Sequence, residues 1–177
     1  MPAVIVLDGC EKAGKTTLTS VIRRQCAVLN ISCEAWKGHS NQPFAQSTFE
    51  WLGQVRCDLV VLDRAWPSKW VYGDKMGFDQ KFDALGTSAE KDIRTWIEDR
   101  GVCRILVQPV EILIERRTAD DLGDPEQEHR LWLEYAEEYG WEVLELRNGM
   151  NNVKWAALRL IGEAMDRAAD VRRHIFL

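Results

Sequence analysis

Long apolar runs are missing from this sequence: none approaches the roughly 20 residues that a bilayer-spanning helix needs. A basic excess is missing too. There are 23 lysines and arginines against 28 acidic residues, a formal net charge of −5 and a pI of about 5.3. That balance argues against a general nucleic-acid binder, while leaving room for a local basic groove. C-x-x-C spacing is absent, and the five cysteines (Cys10, Cys26, Cys33, Cys57, Cys103) are scattered and odd in number. They read as reduced thiols of a cytosolic protein, not as disulfides or a zinc site. There is no internal repeat, low-complexity tract or linker, so the expectation is one domain over residues 1–177. The first residues run straight into a strand pattern, and the expectation is a cytoplasmic protein with no signal or transit peptide.

What is present is a phosphate-binding pattern. Gly9-Cys10-Glu11-Lys12-Ala13-Gly14-Lys15-Thr16 fits G-x-x-x-x-G-K-[ST]. It follows Val4-Ile5-Val6-Leu7, an apolar run suited to a strand buried on both faces. It precedes Leu18, Val21, Ile22, Cys26 and Leu29, which recur at near-helical spacing. Glycines let the backbone approach phosphates closely. Successive N–H groups and a helix N-terminus offer partial positive charge to a triphosphate. The segment Gly9–Thr17 therefore reads as an ATP site, with Glu11, Lys12, Ala13, Gly14, Lys15, Thr16 and Thr17 around the nucleotide. Lys15 reaches the β- and γ-phosphates and the Thr16 hydroxyl takes Mg²⁺ in this reading. Cys10 reads as a small loop residue, with inhibition by alkylation or oxidation as the alternative.

Apolar strand-like runs alternate with helical stretches. Strands are expected at Val4–Leu7, Ser32–Lys37, Asp58–Asp63, Cys103–Gln108 and Glu142–Leu146. Helices are expected over 15–29, 43–55, 67–76, 89–100, 110–118, 125–139 and 151–172. The alternation implies an α/β fold of three layers, α/β/α, with a five-stranded parallel sheet covered by helices on both faces. Ligands bind such folds at the carboxyl ends of the strands. Asp63, closing the run Leu59-Val60-Val61-Leu62-Asp63, is placed to share Mg²⁺ with Thr16.

Asp63 is followed by Arg64. A phosphate loop with Asp-Arg at this strand end resembles the thymidylate kinase-like family of P-loop nucleotide kinases. The resemblance implies that Arg64 contacts the acceptor's phosphate. It implies that Glu11 faces the acceptor sugar, and that Lys12 adds charge beside the transferred phosphoryl. It also implies a lid over about 116–126, with Arg116 and Arg117 closing on the nucleotide and Arg130 a weaker candidate. Members of that family are often dimers.

The chain departs from the family on the acceptor side. Lys15 and Asp63 are only 48 positions apart, too few for the helices that usually grip a free monophosphate. The Asp-Arg pair continues as Ala65-Trp66-Pro67-Ser68-Lys69-Trp70-Val71-Tyr72, not as Asp-Arg-Tyr. Eight tryptophans are many for this length, and Trp36, Trp66 and Trp70 fall near the acceptor side with Lys37, His39, Lys69 and Lys75. Aromatics stack bases and lysines follow phosphates. The resemblance therefore extends to viral DNA-modifying kinases, which phosphorylate the hydroxymethyl group of 5-hydroxymethyl-deoxyuridine in DNA, the base being flipped out of the duplex. A viral enzyme of that kind works in the host cytoplasm. The alternative acceptor is a free deoxynucleotide such as dTMP. A hydroxymethyl acceptor would gain from a base, for which Asp63, Asp8, Glu11 and His39 are candidates.

Overall fold

The structure, a computed structural model, describes residues 2–37, 51–77, 88–119, 121, 123–146 and 149–175. Most of the helix expected over 43–55 lies outside these residues, as do His39 and two positions of the expected lid, 120 and 122; residues 51–54 are helical.

Five strands form one sheet: β1 (Ala3–Gly9), β2 (Cys33–Lys37), β3 (Leu59–Asp63), β4 (Val102–Val107) and β5 (Glu142–Glu145). Their order is β2-β3-β1-β4-β5 and every pairing is parallel. All seven residues of β1 and all five of β3 are buried, as β-branched strands covered on both faces must be. The register pairs Lys37 and Leu7 with Asp63, so β2 and β3 end level and β1 runs two residues further, to Gly9.

The helices are α1 (Lys15–Val28), α2 (Trp66–Ser68), α3 (Ser88–Arg100), α4 (Val110–Arg116), α5 (Pro125–Tyr139) and α6 (Met150–Ile175). α1 and α6 pack on each other and on the sheet. α5 packs on α4, β4 and the segment after α2. The single helix expected over 67–76 is instead the short turn α2 running into a π-helical segment, Lys69–Lys75. Such wide turns cluster at functional sites.

Local chemistry sets the ends. α5 begins at Asp124, whose carboxylate accepts the Gln127 amide at 2.8 Å, with Pro125 next; it ends at Gly140 in the left-handed region, φ 68°. α1 is different: Gly14 precedes it at φ 97° and no side chain caps it. Its first amides are left for another acceptor. Under α6, the guanidinium of Arg104 in β4 pairs with Glu142 of β5 at 2.9 Å and with Glu163 of α6.

Candidate active site

The chain must leave β1 and enter α1 within a few residues, and Gly9 makes the turn possible. Its φ is +130°, and a Cβ there would lie 2.0 Å from the Leu106 carbonyl oxygen of β4. That same oxygen accepts the Cys10 amide at 3.0 Å. The loop wraps over a cleft of about 490 Å³ at the carboxyl ends of the strands. The loop contributes Glu11, Lys12, Gly14 and Lys15, and α1 adds Thr16 and Thr17. From β2 comes Lys37, from β3 Asp63 with Arg64 after it, and from the far wall Arg116 and Asp121.

Lys15 is 6% exposed, and its ammonium donates to the carbonyls of Gly9 and Cys10, both at 2.7 Å. Burial lowers its pKa, aided by Arg64 and opposed by Asp8 and Asp63. Beside it the Thr16 hydroxyl donates to Asp63 Oδ2 at 3.2 Å. A hydroxyl and a carboxylate oxygen in contact suit a hard cation such as Mg²⁺, which takes few protein ligands and completes its shell with water and phosphate. Among the described residues, no group of three or more His, Cys, Asp or Glu side chains could hold a metal, as that sparing mode of binding allows. Ala13 is buried in the turn of the loop.

Two non-glycine residues at the cleft adopt left-handed backbone, Lys12 at φ 61° and Arg64 at φ 76°. Such strain persists where the surroundings enforce it, commonly at functional sites. For Arg64 the enforcement is visible: its amide donates to the Leu7 carbonyl at 2.9 Å. Its side chain reaches Glu11 at 3.4 Å and lies 5.7 Å from the centre of the Tyr72 ring. Lys12 pairs with Asp121 at 3.2 Å, and its carbonyl accepts from Arg116 at 3.4 Å.

The structure separates the two adjacent lid arginines. Arg116 lines the cleft, whereas Arg117 is directed at Glu128, 3.4 Å away. Arg130 pairs with Glu134 along α5 at 3.6 Å and does not line the cleft. Of the residues read as substrate-binding, Glu11, Lys37 and Arg64 come together. Trp66 and Trp70, expected on the acceptor side, do not line this cleft. Trp66 is 6% exposed and meets Trp141 edge-on at 5.6 Å. Trp70 meets Tyr135 and Tyr139 edge-on at 5.4 and 6.4 Å. Trp70 thus meets α5, and Trp66 meets Trp141, which itself packs on Tyr135 of α5; edge-to-face contacts of this kind add to burial. Trp36 rests on Trp51 at 5.2 Å.

Asp8, read as a candidate base, is fully buried and committed elsewhere. Its Oδ1 accepts from Gly9 N and the Ser68 hydroxyl at 3.0 and 2.7 Å; its Oδ2 accepts from Ala65 N and Ser68 N at 2.9 and 3.1 Å. Burial pushes its pKa up, while Lys15, Arg64 and the bonds from Ser68 and Ala65 pull it down. Four donors on two oxygens bracket the start of α2 to the end of β1. Neither this bracket nor buried Glu128 was visible in any local pattern.

The Cys10 thiol is buried and pushed up to about 12, by burial first and Glu128 second. Thiolates are the reactive species. Iodoacetamide at neutral pH is therefore expected to leave Cys10 unmodified in the native protein and to label it after denaturation. Peptide mass spectrometry reads the difference; rapid native labelling of Cys10 would contradict it.

The parallel sheet in the order β2-β3-β1-β4-β5, with the loop between β1 and α1, is the fold of the P-loop kinases. No family model and no curated protein matches the sequence. Among solved structures, YorR from Bacillus subtilis, determined with phosphorylated GDP, is similar with a TM-score of 0.60 at 17% identity, over 97% of this chain and 98% of its own. Thymidylate kinase from Candida albicans is similar with a TM-score of 0.61 at 13% identity, over 94% of this chain and 93% of its own. At such identities the likeness establishes the fold. Among the described residues, no helix is long and apolar enough to cross a membrane.

Proposed function

We propose that the protein is an ATP- and Mg²⁺-dependent phosphotransferase with a nucleotide acceptor. The observation that carries this reading is the convergence of two sets of groups on one cleft. Lys15, the Thr16–Asp63 pair and the Glu11–Arg64 pair with Lys37 all line the same cleft, the first three residues suited to a magnesium triphosphate and the last three to a second anionic substrate. Phosphoryl transfer needs positioning and charge neutralisation more than covalent help. Lys15, Lys12 and the loop amides balance the triphosphate; Thr16 and Asp63 would hold Mg²⁺, which would neutralise charge on the phosphate oxygens. Arg116 closes the outer wall. The acceptor oxygen attacks the γ-phosphorus, the bond to the β-phosphate oxygen breaks, and ADP leaves.

The acceptor favoured by the geometry is a free deoxynucleoside monophosphate. Arg64 and Lys37 supply two cations for its phosphate, and an already ionised phosphate needs no base. The net charge of −5 and the absence of Trp66 and Trp70 from the cleft's lining agree. The second reading is the hydroxymethyl group of 5-hydroxymethyl-deoxyuridine in DNA. It is supported by the 48-position span between Lys15 and Asp63 and by Trp36 next to Lys37. Its hydroxyl proton would pass to a carboxylate, Glu11 or Asp63.

γ-Labelled ATP with Mg²⁺, offered dTMP, unmodified duplex and duplex containing 5-hydroxymethyl-deoxyuridine, separates these. Label in dTDP supports the first acceptor; label in the modified duplex alone supports the second. ATP hydrolysis indifferent to every acceptor refutes the phosphotransferase reading. With the acceptor known, Arg64→Ala is expected to raise its KM about tenfold or more and to lower kcat, with a smaller effect on the KM for ATP. A loss confined to ATP affinity would remove Arg64 from the acceptor side.

A further inference from the structure

We propose that Glu128 is a positioning residue for the acceptor end of the cleft, its carboxylate setting the Glu11–Arg64 pair from beneath. The inference rests on the phosphotransferase reading and adds a residue to it. Glu128 lies in the first turns of α5 and is 1% exposed. A carboxylate so buried is costly unless hydrogen-bonded and paired. Here one oxygen carries two short bonds, from the Glu11 amide and from the Tyr72 hydroxyl, both 2.6 Å. The other oxygen faces Arg117 at 3.4 Å.

These contacts close a ring. Glu128 holds Tyr72, whose ring faces Arg64; Arg64 pairs with the Glu11 carboxylate; the Glu11 amide returns to Glu128. The ring joins the phosphate loop, the end of β3, the π segment and α5. Burial and the neighbouring Glu128 push the Tyr72 phenol well above its ordinary pKa, so it remains a donor. The Glu11 amide is bound to Glu128, and the Glu11 residue lines the cleft. Two anchors on one oxygen fix where Glu11 and Arg64 stand at the cleft, whereas Lys15 is held by the Gly9 and Cys10 carbonyls and Thr16 by Asp63. The consequence is selective: the acceptor, not ATP, feels Glu128.

The test is steady-state kinetics on Glu128→Ala, Glu128→Gln and Tyr72→Phe, varying ATP and then the acceptor that takes label, with melting temperature as the folding control. Glu128→Ala is expected to raise the acceptor KM about tenfold or more and the KM for ATP by less than about threefold, the scale of lost charge-assisted bonds. Tyr72→Phe follows with a smaller rise, and Glu128→Gln, which keeps an accepting oxygen, with the smallest. Should the alanine variant fail to fold, the other two carry the test with the same ordering. Equal loss for both substrates, or an unchanged acceptor KM in every folded variant, overturns the proposal. If the wild-type protein transfers no phosphoryl group, the functional reading falls separately. The Arg64 Nε–Hε resonance then decides for Glu128: displacement in Glu128→Gln and Tyr72→Phe supports its hold on Arg64, and an unmoved resonance overturns it.

Discussion

Lys15→Ala is expected to abolish phosphoryl transfer while the protein stays folded. The Lys15 ammonium is the buried cation of the phosphate loop, held by the Gly9 and Cys10 carbonyls at 2.7 Å. It is also strained electrostatically: burial and Arg64 disfavour its charge, and Asp8 and Asp63 only partly compensate. Removing it leaves two carbonyls short of a donor, a cost of about 1–3 kcal/mol that relief of the buried charge offsets in part. The loss to chemistry is larger. A preorganised cation at the transferring phosphoryl stabilises charge that develops in the transition state, and deleting such a group costs about a hundredfold to a thousandfold in rate or more. Transfer of label and a melting curve, measured on one preparation, separate the two effects. Wild-type turnover in the variant would sink the assignment of the loop.

Gly9→Ala should fail in the opposite way, through the fold. The added methyl would lie 2.0 Å from the Leu106 oxygen, 2.6 Å from its nitrogen and 2.8 Å from its carbonyl carbon. These are backbone atoms of β4, the strand paired to β1 with Gly9 opposite Leu106. No rotamer change can yield the space. The φ of +130° adds a conformational penalty for any residue with a Cβ. Overpacking alone costs about 1–3 kcal/mol where side chains can adjust, and here they cannot. A destabilisation beyond about 3 kcal/mol, and a melting temperature lower by about 10 °C, is the expected result. Gly162→Ala in α6 is the control: nothing lies within 4 Å of its added methyl, and a helical alanine should be neutral or stabilising by up to about 1 kcal/mol. A Gly9→Ala protein as stable as wild type would show that β1 and β4 are not held at this register.

The parts of the site that the sequence alone determined are those made by neighbouring residues. The phosphate loop was legible because its ligands are consecutive amides, with Lys15 and Thr16 at fixed offsets from Gly9 and Gly14. β1, β3 and β4 were legible because strands buried on both faces read as apolar runs, and the partly exposed edge strands β2 and β5 because they alternate with helical stretches; the observed ends differ from the expected ones by at most two residues. Asp63 followed, because a polar residue closing such a run must sit at a strand's carboxyl end.

Tertiary structure alone decided the rest. Periodicity marks Trp66 and Trp70 as apolar, but not what they face; in the fold Trp66 meets Trp141 and Trp70 meets Tyr135 of α5. Arg116 and Arg117 are equivalent in composition and adjacent in sequence, yet α4 ends between them and turns one to the cleft and the other to Glu128. Glu128 itself stands 117 positions from Glu11 and 56 from Tyr72. In the sequence it is one more acidic residue at the start of a helix. Only the packing of α5 against the π segment excludes water from it, and exclusion of water is what turns that carboxylate from a solvated charge into an anchor.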